Sequence, residues 1–260
     1  MPNPSPNFAS TQWTLIWKAA AEDAGHGRPA LGELIQRYWH PLYSFARQRG
    51  LGREDAEDAT QEFLSGVVHG DLLGAVDPAK GKFRSFLLVA WKRFLIDDYR
   101  RRHTLRRGGD IKLFSVDFNM GERLWREAEP ETEPDRLYTL CWARSLLDEV
   151  RRRLQSSYSS RDRDLLFTTL SPKLTETLAQ SDYEELGGRL DLSPSAVKVA
   201  LHRLRQRFGQ TLRDVVLETL DDPSEIDAEL AEMRSVLASH SAGLAEINAS
   251  SEPESSPPAN

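Results

Sequence analysis

Apolar residues recur at helical spacing along most of the chain. From Ala30 to Gly50 the apolar positions are Leu31, Leu34, Ile35, Tyr38, Trp39, Leu42, Tyr43 and Phe45, a broad stripe that predicts a helix packed on one side. Gly50 and Gly52 end it, and Arg53 to His69 forms a second helix with Ala56, Ala59, Phe63, Leu64 and Val67 inward. A loop, 70–82, leads to a third helix whose apolar side is Phe83, Phe86, Leu87, Ala90, Trp91, Phe94 and Leu95. It stops near Gly108 and Gly109.

Residues 110–135 carry no clear period and end in AEPETEPD, the composition of a linker, although Leu113, Phe114, Val116 and Phe118 have the character to pack. Asp135 then caps a helix running to about Leu154 through Leu137, Leu140, Cys141, Leu146, Leu147 and Val150. A short apolar helix occupies 161–170. Tyr183, Leu186 and Leu190 mark another, and Val197, Ala200, Leu201, Leu204 and Phe208 mark the next. Helix is expected to about Ala238, followed by a disordered Ser/Glu/Pro-rich end. Near the start, Trp13 and Trp17 lie one turn apart in a short helix.

No stretch alternates β-branched residues as a strand would, so the fold class is all-α. The expected architecture is two small helical domains joined by a linker. Residues 1–28 form an N-terminal extension with a short helix, 29–109 the first domain, 110–135 the linker, 136–216 the second domain and 217–260 an acidic extension.

Charge changes this picture. The formal net charge of −6 averages over opposite poles. Between Ala79 and Gly109 ten Lys/Arg face only Asp97 and Asp98, which gives the third helix a basic side suited to nucleic-acid phosphates. Between Arg53 and Glu62 five carboxylates face one arginine. Asp55, Asp58 and Glu62 fall at i, i+3 and i+7 and form one acidic edge, with Glu57 and Gln61 beside it. From Asp214 to the end the chain holds eleven Asp/Glu and one Arg. That acidic segment either keeps the chain soluble or screens a basic face until displaced.

The segment SDYEELGGRLDLSPSAVKVALHRLRQRF, from Ser181 to Phe208, reads as helix, turn, helix. Gly187 and Gly188 permit close approach, Asp191 and Leu192 make the turn, Ser193 is an N-cap and Pro194 fits the first helical position. If the second helix enters a major groove, Ser195, Lys198, Val199 and His202 face base edges and Arg203 and Arg205 face phosphates.

Three segments together resemble a bacterial RNA polymerase sigma factor of the extracytoplasmic-function type. DAEDATQEFL resembles the region that binds a coiled coil of the β′ subunit. GKFRSFLLVAWKRFLIDDYRRR resembles the regions that open and read the −10 element, and LSPSAVKVALHRLRQRF resembles the helix that reads the −35 element. TQWTLIWKAA, KGKFRSFLL and the helical extension around Asp222 to Leu237 are similar to a subgroup found in planctomycetes and related bacteria.

The resemblance implies that Asp55, Glu57, Asp58, Gln61 and Glu62 meet core polymerase. It implies that Lys80, Lys82, Arg84, Lys92, Arg93, Arg100, Arg101 and Arg102 serve the −10 element. Ser195, Lys198, Val199, His202, Arg203 and Arg205 would serve the −35 element. Phe86, Trp91 and Phe94 are core by their spacing rather than stacking platforms. Implied partners are core RNA polymerase, through its β′ coiled coil and β flap, promoter DNA, and an anti-sigma factor or kinase. The family is not enzymatic, uses no cofactor or metal, and works in the cytoplasm.

The residues also bear two other readings. A stand-alone helix-turn-helix regulator would bind a palindrome as a dimer and have no use for the acidic edge. A metal-dependent nuclease would need Asp55, Asp58 and Glu62 to converge in a pocket. The single cysteine, Cys141, allows no intrachain disulfide and no Cys-based zinc site. No signal peptide or membrane-length apolar run is expected.

Overall fold

A computed structural model describes residues 28–68, 82–104, 116–126, 132–220 and 222–250. The expected helix around Trp13 and Trp17, the loop before Lys82 and the last ten residues lie outside the described residues.

Among the described residues all regular structure is helical. In chain order the helices are α1 (Arg28–Gln48), α2 (Arg53–Val68), α3 (Phe83–Thr104), α4 (Phe118–Arg126), α5 (Pro134–Ser159), α6 (Asp164–Leu170), α7 (Gln180–Leu190), α8 (Pro194–Leu217) and α9 (Ile226–Ser250). Short 3₁₀ turns at Ser171–Lys173 and Pro223–Glu225 follow α6 and precede α9.

The apolar stripe of α1 is buried as its period requires: Leu34, Ile35, Tyr38, Trp39, Leu42, Tyr43 and Phe45 are all in the core. Gly50, at φ +91°, closes the helix. Its N–H donates to Arg47 O and the Leu51 N–H to Ala46 O, a closure that needs a residue at ease in the left-handed region. On α3, Trp91 is fully buried and its indole N–H donates to Leu42 O at 3.1 Å. Phe94 stacks on Trp91 at 5.5 Å and Phe63 of α2 packs on both. Trp91 and Phe63 are core and Phe94 packs half-buried against them, in line with the spacing.

The expected linker is helical in part. Residues 118–126 form α4, which lies against α1. Phe118 meets Trp39 edge-on at 5.5 Å. Gly121 passes so close to Trp39 that an added Cβ would sit 2.8 Å from the indole ring. Glu122 accepts from Tyr43 Oη at 2.6 Å and from Arg47 at 2.9 and 3.0 Å. The hydrogen bonds from Arg47 lead in holding the Glu122 carboxyl down at about 2, against the opposing effect of burial. The segment shows no period in the sequence because its anchors, Phe118, Gly121 and Glu122, are too few to produce one.

Helix α5 joins the two halves. It starts at Pro134, with Asp135 in its first turn rather than at the cap. It buries Tyr138, Trp142, Leu146 and Val150, and packs against α1 on one side and α8 on the other. Tyr138 Oη donates to Arg84 O at 3.1 Å, tying α5 to α3. Arg153 of α5 holds Glu218 at 2.5 and 2.8 Å, and Arg37 of α1 reaches the same carboxylate at 3.5 Å. One hydrophobic cluster therefore runs from α1 through α5 into α8 and α9. Helix α9 continues to Ser250, beyond the Ala238 expected.

Candidate functional site

The acidic edge of α2 is where its spacing places it. Asp55, Asp58 and Glu62 are exposed, with Glu57 and Gln61 half-buried alongside. Ala56, Ala59 and Phe63 alternate with them and are buried, so the apolar side fixes the outward direction of the carboxylates. Arg53 pairs with Glu57 at 2.8 Å. These carboxylates lie along a helix surface and do not converge on a pocket.

The basic residues of α3 divide into two groups. At the exposed end, Arg93, Arg100 and Arg101 reach solvent. Arg101 bridges Glu62 at 2.7 Å and Asp98 at 2.9 Å, so the acidic edge and the basic end adjoin. Arg100 pairs with Asp97 at 3.6 Å. Lys92 is half-buried and pairs with Asp135 of α5 at 2.6 Å. Tyr99 is 65% exposed beside Arg100, and Val89 and Ile96 are also exposed. Sequence reasoning missed Tyr99 because it falls off the apolar stripe. Lys80 lies outside the described residues, and Arg102 is placed on α3 by its backbone alone.

The first turn of α3 differs. Arg84 is only 8% exposed and its guanidinium lies 4.6 Å over the Trp142 ring. It donates to Glu229 Oε1 at 2.7 Å and pairs with Glu232 at 2.5 Å. Lys82, half-buried, pairs with Glu229 as well, and with Glu232 at 3.4 Å. Burial opposes the Arg84 cation, but the hydrogen bonds and charges of Glu229 and Glu232 together outweigh it and raise the guanidinium pKa. Burial pushes the Glu232 carboxyl up, and the hydrogen bonds and charges of Arg84 and Lys82 together more than reverse this. A free cation at Arg84 was the expectation; here it is engaged by α9. The sequence signal was present in Ile226, Glu229 and Met233, which share a face at i, i+3 and i+7, with Glu232 beside them.

In the second basic segment α7 turns into α8 at Asp191, which takes the left-handed conformation at φ 53°. Leu192 N–H donates to Gly187 O at 3.0 Å. A Cβ on Gly187 would lie 2.6 Å from the Leu192 carbonyl oxygen, so the turn requires glycine there, whereas Gly188 faces open space. Ser193 Oγ accepts from Ala196 N at 3.2 Å, the expected N-cap, and Pro194 follows. Val197, Leu201 and Leu204 are buried. Ser195, Lys198, Val199, His202 and Arg203 are exposed along one side of α8. Arg205 departs from its expected phosphate role. Its guanidinium donates to the carbonyls of Leu174, Lys173 and Glu176 at 3.0, 3.1 and 2.5 Å, closing the loop that leads to α7.

Residues 34–104 match the sigma-70 region 2 family. The match takes in α2, α3 and most of α1, that is, the acidic edge and the basic helix together. It covers about a quarter of the chain, 71 of 260 residues. No curated protein and no solved structure matches the chain significantly. The sigma-70 region 2 match supports a sigma-factor role in promoter recognition by RNA polymerase. Among the described residues no helix is long and apolar enough to cross a membrane.

Proposed function

We propose that the chain is an alternative sigma factor of the extracytoplasmic-function type. It binds core RNA polymerase, directs it to promoters with −10 and −35 elements, and acts in the cytoplasm. The observation that carries this reading is the sigma-70 region 2 match across an acidic edge and an adjoining basic helix.

Asp55, Asp58 and Glu62, with Glu57 and Gln61, dock on basic residues of the β′ coiled coil. Exposed carboxylates of this kind raise the encounter rate and suppress wrong partners more than they add affinity. Lys92, Arg93, Arg100, Arg101 and Arg102 hold phosphates near the −10 element. Opening the duplex costs a few kcal/mol for each base extruded. Tyr99, exposed among these cations, is the aromatic surface on which a displaced base stacks, a contact worth about 1–3 kcal/mol.

The turn from α7 into α8 serves the −35 element. Ser195, Lys198, Val199 and His202 face base edges and Arg203 faces a phosphate, while Arg205 stabilises the module itself. A protein in this role performs no chemistry; it lends surfaces to the polymerase. In vitro transcription with bacterial core polymerase on genomic fragments tests the reading. Defined start sites that depend on this chain are expected, and transcripts identical with and without it contradict the reading.

A further inference from the structure

The two cations at the start of α3 are already neutralised from within the chain. Lys82 and Arg84 share the carboxylates of Glu229 and Glu232, which project from α9, about 145 residues further along the sequence. Glu229 is 1% exposed, so it sits inside the contact, whereas Lys82 is 26% and Glu232 45% exposed and border solvent. The site is therefore closed on one side and open on the other.

The hold of α9 on the rest of the protein is modest. Among the described side chains its buried apolar anchors are Ile226 and Met233, with Leu230, Val236 and Leu237 packed half-buried beside them, compared with Leu137, Leu140, Trp142, Leu146 and Val150 among the buried anchors of α5. Arg213 of α8 adds an exposed ion pair to Asp227 at 2.9 Å. A helix whose apolar contacts are mostly half-buried and which is pinned by several ion pairs is one that salt weakens and polyanions displace.

We infer that α9 is an intramolecular competitor for nucleic acid: Glu229 and Glu232 fill the place at Lys82 and Arg84 that DNA phosphates take when α9 swings away. This rests on the sigma-factor reading only in naming DNA as the polyanion. The protein would then exist in a closed form, with two cations masked, and an open form that binds DNA more tightly. Whatever lifts α9 raises activity, including contact with the polymerase itself.

The test measures the affinity of the full chain for a labelled mixed-sequence DNA by fluorescence anisotropy across a range of KCl concentrations. The proteins are wild type, Glu232→Gln, and Glu229→Gln/Glu232→Gln. A further protein carries a protease site inserted before Asp222 and is cleaved after folding, so that α9 loses its covalent tether with Glu229 and Glu232 unchanged. Unmasking two cations adds up to two phosphate contacts. The double variant and the cleaved protein are expected to bind about tenfold more tightly at low salt, with a salt slope steeper by roughly one to two. Glu232→Gln falls between them and wild type. A merely structural contact predicts no steepening of the slope. Equal affinity and slope in all four proteins, or no DNA binding by any, overturns the inference. Binding of core polymerase, scored separately on the same proteins, tells this failure from failure of the sigma-factor reading: a chain that never binds core fails the latter whatever its DNA affinity.

Discussion

Helices α3 and α8 are the two strongly basic segments of the chain, and they differ in what lies opposite their charges. On α8, Lys198, His202 and Arg203 are exposed, and the cost of bringing those charges together is borne by water. At the start of α3, the pair Lys82 and Arg84 is folded into a contact with α9, while Arg93 at mid-helix and Arg100 near the other end are exposed. Charge counts alone made the two helices equivalent. What separates them is the buried partner, and a buried cation is tied to stability in a way that an exposed one is not.

The same substitution at the two places gives the sharpest contrast. Arg84→Ala leaves Glu229 buried without its main partner and removes the contact with Trp142, so it destabilises by about 3–5 kcal/mol in urea unfolding. Arg203→Ala, on the exposed face, stays within about 0.5 kcal/mol of wild type. Equal effects would erase the distinction.

Acid probes the shared core beneath both helices. Burial holds the His40 imidazole neutral, its pKa lowered to about 4, with Arg144 adding to the effect. A lowered histidine pKa means that folding favours the neutral form. Its contribution is whole above the ordinary value of about 6.5 and is lost as pH falls toward about 4, amounting to on the order of 3 kcal/mol. His40→Gln should flatten the stability profile across that window. The Glu122 contribution, by contrast, is present above about 4.5 and disappears as pH falls toward about 2, so its loss follows that of His40.

In the proposed role the exposed face of α8 answers to DNA rather than to denaturant. Lys198→Ala with Arg203→Ala lowers the salt slope of DNA binding by roughly one to two without altering the unfolding midpoint. An unchanged slope would remove both residues from the phosphate contacts. The smallest effect is at the junction of the acidic edge and α3: Glu62→Gln, which breaks the exposed Arg101 bridge, costs about 0–1 kcal/mol of stability.

These outcomes follow from features of unequal visibility in the sequence. The stripes of α1, α2 and α3 were plain because each buries many apolar residues at a regular interval, and the same regularity aimed Asp55, Asp58 and Glu62 outward. The Asp191 turn was plain because a glycine, an N-cap serine and a proline each have a local reason for their place. Helix α4 was not plain: it is short, and Gly121 and Glu122 make sense only once Trp39, Tyr43 and Arg47 are known to face them. Nor was the closure by α9, because an acidic helix near the end of a chain and a solvated tail have the same composition. Arg205 illustrates the converse. Its position in a basic helix suggested a phosphate, while the carbonyls it satisfies belong to a loop some thirty residues earlier.

In the proposed function the acidic edge of α2 docks the chain onto bacterial core polymerase. This docking is tested most directly by binding of purified core to wild type and to a variant with Asp55→Lys, Asp58→Lys and Glu62→Lys, folding being checked by circular dichroism. Tight binding by wild type and none by the folded variant is the predicted result. Equal binding by the two, or no binding by wild type, contradicts it.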